Sequence, residues 1–224
     1  MRKGLILGVL VVGAASLVWA QGSQFPVEDW SKTPAGQKGV PTGWKTQSWG
    51  SPKYEFEVVS DSPARVLHLV SNGDSSTINK DIPKISCKEY PILQWRWKLV
   101  ELPKGADARK KETDDEALQL YVTFPRFPNA VRSRIIGYIW DTTAPAGSIF
   151  KSQKTGLVTY VVMRSGDGEK AKWVTETRNV CEDYKTIYGE EPEEKIEAVS
   201  IGIDSDDTHS RAEGYVGEIL FKKP

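Results

Sequence analysis

Strict alternation of apolar and polar residues in two stretches constrains this chain more than any other feature. Leu93, Trp95, Trp97 and Leu99 fall on one side of an extended chain, and Gln94, Arg96 and Lys98 on the other. Leu118, Leu120, Val122 and Phe124 repeat the pattern opposite Gln119, Tyr121 and Thr123. Successive side chains of a strand point to opposite faces, so each stretch has one face to cover and one that can meet water. Further strands are expected at 54–60, 64–71, 133–140, 157–164, 172–179, 198–204 and 214–222. Turn residues separate them, as in Ser71-Asn72-Gly73-Asp74 and Ser165-Gly166-Asp167-Gly168. Phe25, Val27 and Trp30 make a short first strand, placed to lie beside the last one. About nine strands punctuated in this way predict an all-β fold, a β-sandwich of jelly-roll type. No repeat or linker divides residues 21–224, which read as a single domain. One short helix is expected at about 180–188. Asn179 caps it, Glu182 follows three residues on, and Gly189 stands at the exit.

Residues 1–20 read as a secretory signal peptide. Arg2 and Lys3 form the basic head, Leu5 to Leu17 is apolar apart from small residues, and Val18-Trp19-Ala20 supplies a cleavage-like end. A retained anchor is the rival reading, since the uncharged run approaches the length of a spanning helix. The absence of a second apolar segment favours cleavage, a periplasmic or secreted protein, and no stable membrane insertion afterwards. Removing Arg2 and Lys3 from 30 basic residues leaves 28 against 30 acidic ones, so the mature charge is −2. Such a balance argues against nucleic acid as a partner, because that affinity rests on clustered Lys and Arg. Cys87 and Cys181 stand 94 residues apart. In an oxidising compartment they form either a disulfide or two buried thiols. With two His and two Cys in the chain, a zinc site of the Cys/His kind lacks ligands.

The densest polar segment is Asp204-Ser205-Asp206-Asp207-Thr208, directly after a strand in which Val199, Ile201 and Ile203 alternate with small residues. It reads either as a capped turn, as a ligand contact, or as an oxygen-rich Ca²⁺ site without the spacing of an EF-hand. Asp114-Asp115 precedes another strand, and adjacent residues of an extended chain point apart, so one of the two at most enters a given cleft. Arg178 and Asp183 straddle a strand-to-helix corner. They form either a bidentate pair that pins the corner, or a site whose guanidinium grips a carboxylate or a sugar hydroxyl. Seven of the eight tryptophans lie beyond residue 20. Trp95 and Trp97 fit a core, whereas Trp140 ends a strand before Asp141-Thr142-Thr143 and is expected at a loop, and Trp44 and Trp49 flank a Gly/Ser/Pro-rich stretch. Flat aromatic faces beside hydrogen-bonding groups suit a sugar-binding surface. No Gly-x-Ser-x-Gly elbow, phosphate-cradling glycine loop or His-Glu-x-x-His is present.

Leu93-Gln94-Trp95-Arg96-Trp97, Pro103-Lys104-Gly105-Ala106-Asp107, Asp114-Asp115 and Tyr121-Val122-Thr123-Phe124 together resemble the domain of unknown function 3047 family. Tyr138-Ile139-Trp140, Arg164-Ser165-Gly166, Arg178-Asn179-Val180, Asp183-Tyr184 and Asp204 to Thr208 extend the resemblance across nearly the whole chain after the leader. The family carries no assigned activity. The resemblance implies an exported bacterial protein with a galactose-binding-like jelly roll.

These readings converge on an exported binding protein, with a polar small molecule or a glycan as partner. The expected site gathers Asp115, Trp140, Arg178, Asp183, Asp204 and Asp206, all near strand ends. No cofactor or metal is expected, Ca²⁺ being the one ion the residue types leave open. The alternatives are a glycan or peptidoglycan hydrolase working through two carboxylates, and an assembly or structural partner in the cell envelope.

Overall fold

A computed structural model describes residues 22–224. The signal-peptide reading of residues 1–20 lies outside them. In chain order the strands are β1 (Gln24–Glu28), β2 (Lys45–Thr46), β3 (Glu55–Asp61), β4 (Ala64–Asn72), β5 (Ser75–Ile85), β6 (Ile92–Glu101) and β7 (Leu118–Phe124). They continue as β8 (Arg134–Asp141), β9 (Ile149–Lys151), β10 (Val158–Ser165), β11 (Trp173–Asn179), β12 (Ile196–Asp204) and β13 (Arg211–Lys222). One sheet of six strands runs β11-β6-β13-β4-β3, with β1 also paired to β13. The other, of seven strands, runs β2-β5-β12-β7-β8-β10-β9. All pairings are antiparallel except β8 with β10. The chain crosses repeatedly from one sheet to the other, as a jelly-roll sandwich does, and its first and last strands pair.

The inner faces are those marked by the alternation. Trp95 and Trp97 of β6 meet Tyr138 and Trp140 of β8 across the sandwich, with ring centroids 5.2 Å apart for Trp95–Tyr138 and 5.8 Å for Trp97–Trp140. All four are at most 1% exposed. Each ring removes about 150–250 Å² from water, so truncating one to alanine costs about 3–5 kcal/mol. Trp30 and Trp44 stack at 5.6 Å and close the edge near β1.

Thirteen strands replace the nine or so expected, because β2, β5 and β9 escape the pattern. β2 and β9 are too short to show a period. β5 is 11 residues long, but it contains Pro83 and carries Thr77 and Asn79 on its outward side. Two polar faces flanking isolated isoleucines do not read as a half-buried strand. The helix α2 (Val180–Tyr188) follows the four-residue turn α1 (Asn129–Arg132), which the sequence does not signal. In α2 the Asn179 side chain accepts from the Glu182 N–H at 3.2 Å, and Gly189 closes the C-terminus at φ 74°. Cys87, just before β6, and Cys181, in the first turn of α2, are joined by a disulfide with Cα atoms 5.6 Å apart. Among the described residues no helix is long and apolar enough to cross a membrane.

Candidate functional site

A cleft of about 860 Å³ lies on the outer face of the seven-stranded sheet. Its floor is made by side chains that alternation turns away from the core: Thr77 and Asn79 of β5, Ser200 of β12, Gln119 and Tyr121 of β7, and Tyr160 of β10. Two glycines flatten it. A methyl group on Gly202 would stand 2.2 Å from Oε1 of Gln119, so this glycine is what lets Gln119 lie across β12. One on Gly137 would stand 2.8 Å from the Tyr121 ring and 3.0 Å from that of Tyr160, so both phenols rest on bare β8 backbone. A lone glycine inside a strand pattern signals such close approach, and these two were the legible markers of the floor.

Hydrogen bonds hold the floor in place. Tyr121 Oη donates to Gln119 Oε1 at 2.9 Å, and the Gln119 amide donates in turn to Glu116. Ser200 Oγ donates to Asn79 Oδ1 at 2.7 Å. At one end Gln47 donates to the carbonyls of Trp49 (2.9 Å) and Ser75 (3.1 Å), which moors the Trp49 loop on β5. The Trp49 indole is 57% exposed. Ser152, Lys154, Thr155, Leu157 and Val158 also line the cleft, and outside it Ala108 and Ala144 pack on Ile139, Val158, Tyr160 and Val162. Asp141, fully buried, anchors this packing by accepting from the N–H groups of Ala108 at 2.9 Å and Thr143 at 2.6 Å.

Gly202→Ala tests the floor. The new methyl must displace the Gln119 amide, a flexible tip, so the fold persists while the Glu116–Gln119–Tyr121 chain breaks. The expected loss is about 1–3 kcal/mol, typical of overpacking, read from urea melts; an unchanged midpoint would show that Gln119 does not occupy this place.

The six residues nominated from the sequence divide into three places. Asp115, Asp204 and Asp206 come together, each offering an oxygen within 4.8 Å of the others. Asp204 and Asp206 line one end of the cleft. Asp115 stands behind them and accepts from the N–H groups of Asp207 (3.1 Å) and Thr208 (2.7 Å) and from the Thr208 hydroxyl (2.6 Å). Trp140 is not at this site. Its indole is 1% exposed, lies in the inter-sheet core, and donates to the Gly166 carbonyl at 2.9 Å. Its neighbour Asp141 ends the strand, and the inward parity of position 140 decides the matter. Arg178 and Asp183 form a two-pronged pair at the strand-to-helix corner, where Tyr138 Oη also donates to Asp183 at 2.7 Å. This trio ties β11 and α2 to β8 across the sandwich, away from the cleft floor. Asp183 is 5% exposed and its oxygens are engaged, so the pair braces the corner.

The acidic end of the cleft is under electrostatic strain. Burial raises the Asp114 carboxyl to about 6. Burial, then repulsion from Asp114 and Asp204, holds Glu116 well above the usual carboxylate range. Asp204 is raised well above it too, by burial and then by Asp206 and Asp115. Lys154 loses hydration, yet Asp207, Asp204 and Asp206 together keep its ammonium above its ordinary range. Glu116, Gln119, Lys154 and the β5 residues were not singled out from sequence. Their types are ordinary, and only the tertiary fold brings four separate segments to one wall.

Among solved structures, the chain is similar to the family 11 carbohydrate-binding module of the cellulosomal cellulase Lic26A-Cel5E of Clostridium thermocellum. That match has 9% identity and a TM-score of 0.48, covering 90% of this chain and 95% of that one. It is similar also to the family 30 carbohydrate-binding module of the cellulase Cel9D-Cel44B of the same organism, at 11% identity and a TM-score of 0.44, over 84% and 96% of the two chains. The xyloglucanase domain of NopAA from Sinorhizobium fredii, in complex with cellobiose, matches at 10% identity and a TM-score of 0.43, over 88% and 100%. No curated protein matches the chain. The family described as Protein of unknown function (DUF3047) matches residues 42–220, and the chain belongs to it.

Proposed function

We propose that this protein is an exported glycan-binding module that holds a neutral, polyhydroxylated ligand in the cleft on its seven-stranded sheet. The observation that carries this reading is the floor itself. It is a flat row of uncharged hydroxyl and amide groups, with an exposed indole at one end. Hydroxyl-rich ligands need many donors and acceptors and no net charge, and a ring face supplies the apolar contact. The Asn79 amide has no protein acceptor among the described residues, so its N–H groups are free to donate into the cleft. The acidic end disfavours phosphate-bearing ligands by direct repulsion. Export is supported by the signal-like leader and by the disulfide, since such bonds persist in oxidising compartments. Binding is favoured over carboxylate-based hydrolysis because the converging carboxylates gather at one end of the cleft and do not flank its floor.

Affinity electrophoresis against soluble β-glucan, xylan, mannan and galactan tests this. At least one polysaccharide should retard the protein, and Trp49→Ala should weaken that retardation about tenfold or more, since tenfold is 1.4 kcal/mol. The Trp49→Ala melting temperature should stay unchanged, because the indole is largely in water. Free migration of the wild type in every polysaccharide would refute the reading.

A further inference from the structure

The corner where β12 ends gathers the carboxyl groups of Asp114, Asp115, Glu116, Asp204, Asp206 and Asp207. Among the described residues one cation reaches them: Lys154, in contact with Asp207 and 3.6 Å from Asp206 Oδ1. Burying carboxylates without matching charge is costly, and a single ammonium leaves most of this corner unmatched.

Three of the acids converge. Asp115, Asp204 and Asp206 come from the run into β7, the end of β12 and the turn beyond it, and their nearest oxygens lie within 4.8 Å of one another. Asp115 is fully buried and Asp204 is 8% exposed. A second observation points the same way. Oδ1 of Asp206, itself one of the converging groups, has no hydrogen-bond donor, its nearest cation being Lys154 Nζ at 3.6 Å. Oε1 of Glu116 and Oδ1 of Asp114 also lack donors, on residues only 1% and 2% exposed. Glu116 adjoins Asp204 directly, for the Asp204 N–H donates to the Glu116 carbonyl at 3.0 Å. Buried carboxyl oxygens without donors must either share a proton or meet a cation.

We propose that Asp115, Asp204 and Asp206 bind a hard divalent cation, Ca²⁺, at the acidic end of the cleft. The donor set is oxygen alone, since both cysteines are in the disulfide and neither histidine joins the cluster. A donor set of carboxylate oxygens suits calcium, which takes six to eight ligands at about 2.3–2.6 Å and tolerates irregular geometry. The turn around Asp206 then orients the ligands. Ser75 Oγ and the Asp206 N–H hold Asp204 at 2.8 and 3.2 Å, and the Asp207 and Thr208 donors hold Asp115, which leaves the remaining lone pairs for the ion. Lys154 occupies the rim of the site as the competing charge, and a bound ion displaces it toward Asp207.

The test uses the metal alone and is independent of any glycan. The protein, stripped with EDTA at pH 7.5, is melted with and without CaCl₂ and titrated calorimetrically. At about 100 times Kd, calcium should raise the melting temperature by about 5–10 °C, with one ion per chain. Asp206→Asn should fold, because its side chain is 44% exposed, and should lose the calcium shift. Lys154→Met should keep the shift or enlarge it, which separates loss of the metal from a general disturbance of the corner. Absence of any shift with Ca²⁺ overturns the proposal, as does a response to Mg²⁺ or Mn²⁺ alone. A calcium shift that survives Asp206→Asn overturns the assignment to this corner.

Discussion

Replacing Cys87 and Cys181 together with alanine is expected to lower the melting temperature by about 10–15 °C, the largest single effect in this molecule. The bridge closes a 94-residue loop, from the connection before β6 to the first turn of α2. Removing that constraint from the unfolded chain is worth about 4–5 kcal/mol in the chain-entropy model. The bridge also fixes α2 against the six-stranded sheet at the corner that Arg178 and Asp183 brace. Wild-type protein in reducing agent should melt near the double variant, and thiol counting should find none free before reduction. Two free thiols in the purified protein, with a melting point indifferent to reductant, would sink the prediction.

The second large effect is a pH dependence of unusual sign. In metal-free protein, stability should fall as pH rises from about 4 to about 6. Asp114 has a folded pKa raised from 3.8 to about 6. The folded form therefore holds its proton more tightly than the unfolded chain, so the contribution is fully present below about 4 and is lost as pH rises through 6. That shift corresponds to about 3 kcal/mol, and Glu116 and Asp204, raised in the same direction, add to it. Carboxyls held below their usual range act in another window. Asp107, lowered to about 2 by the guanidinium of Arg109, loses its contribution only as pH falls below about 4. Urea melts at pH 4.5 and 7.5 in EDTA should show the lower stability at 7.5. Glu116→Gln, which removes a titrating group with a raised proton affinity while keeping an acceptor for Gln119, should raise the midpoint at 7.5 and flatten the slope. Stability that climbs through this window would show that the acidic end is hydrated or matched by another charge.

The inner faces of β6 and β7 were legible because each covers its core with every second residue. The same logic read the cap and exit of α2 from Asn179, Glu182 and Gly189. It failed at β5, whose outward residues Thr77 and Asn79 serve the cleft and so suppress the apolar signal. It failed differently at Trp140. Its position at the end of a strand suggested exposure, but the segment 105–116 covers the outer face of β8, and the indole itself points inward. Strands buried on both faces carry no parity that identifies the wet side.

The Asp204–Thr208 turn was visible as a polar run, yet its partners come from positions 114–116 and 154, far away in the chain. Local spacing governs what a residue does to its own strand, turn or cap, since those interactions reach only a few positions along the backbone. For this protein that was enough to determine two packed sheets, the helix and the pair of cysteines available for bridging. Which carboxylates meet, which aromatic stays in water, and how charge collects without compensation were decided by the crossings between sheets. Those crossings set distances between residues dozens of positions apart, and Coulomb repulsion and burial act on distance in space, not along the chain.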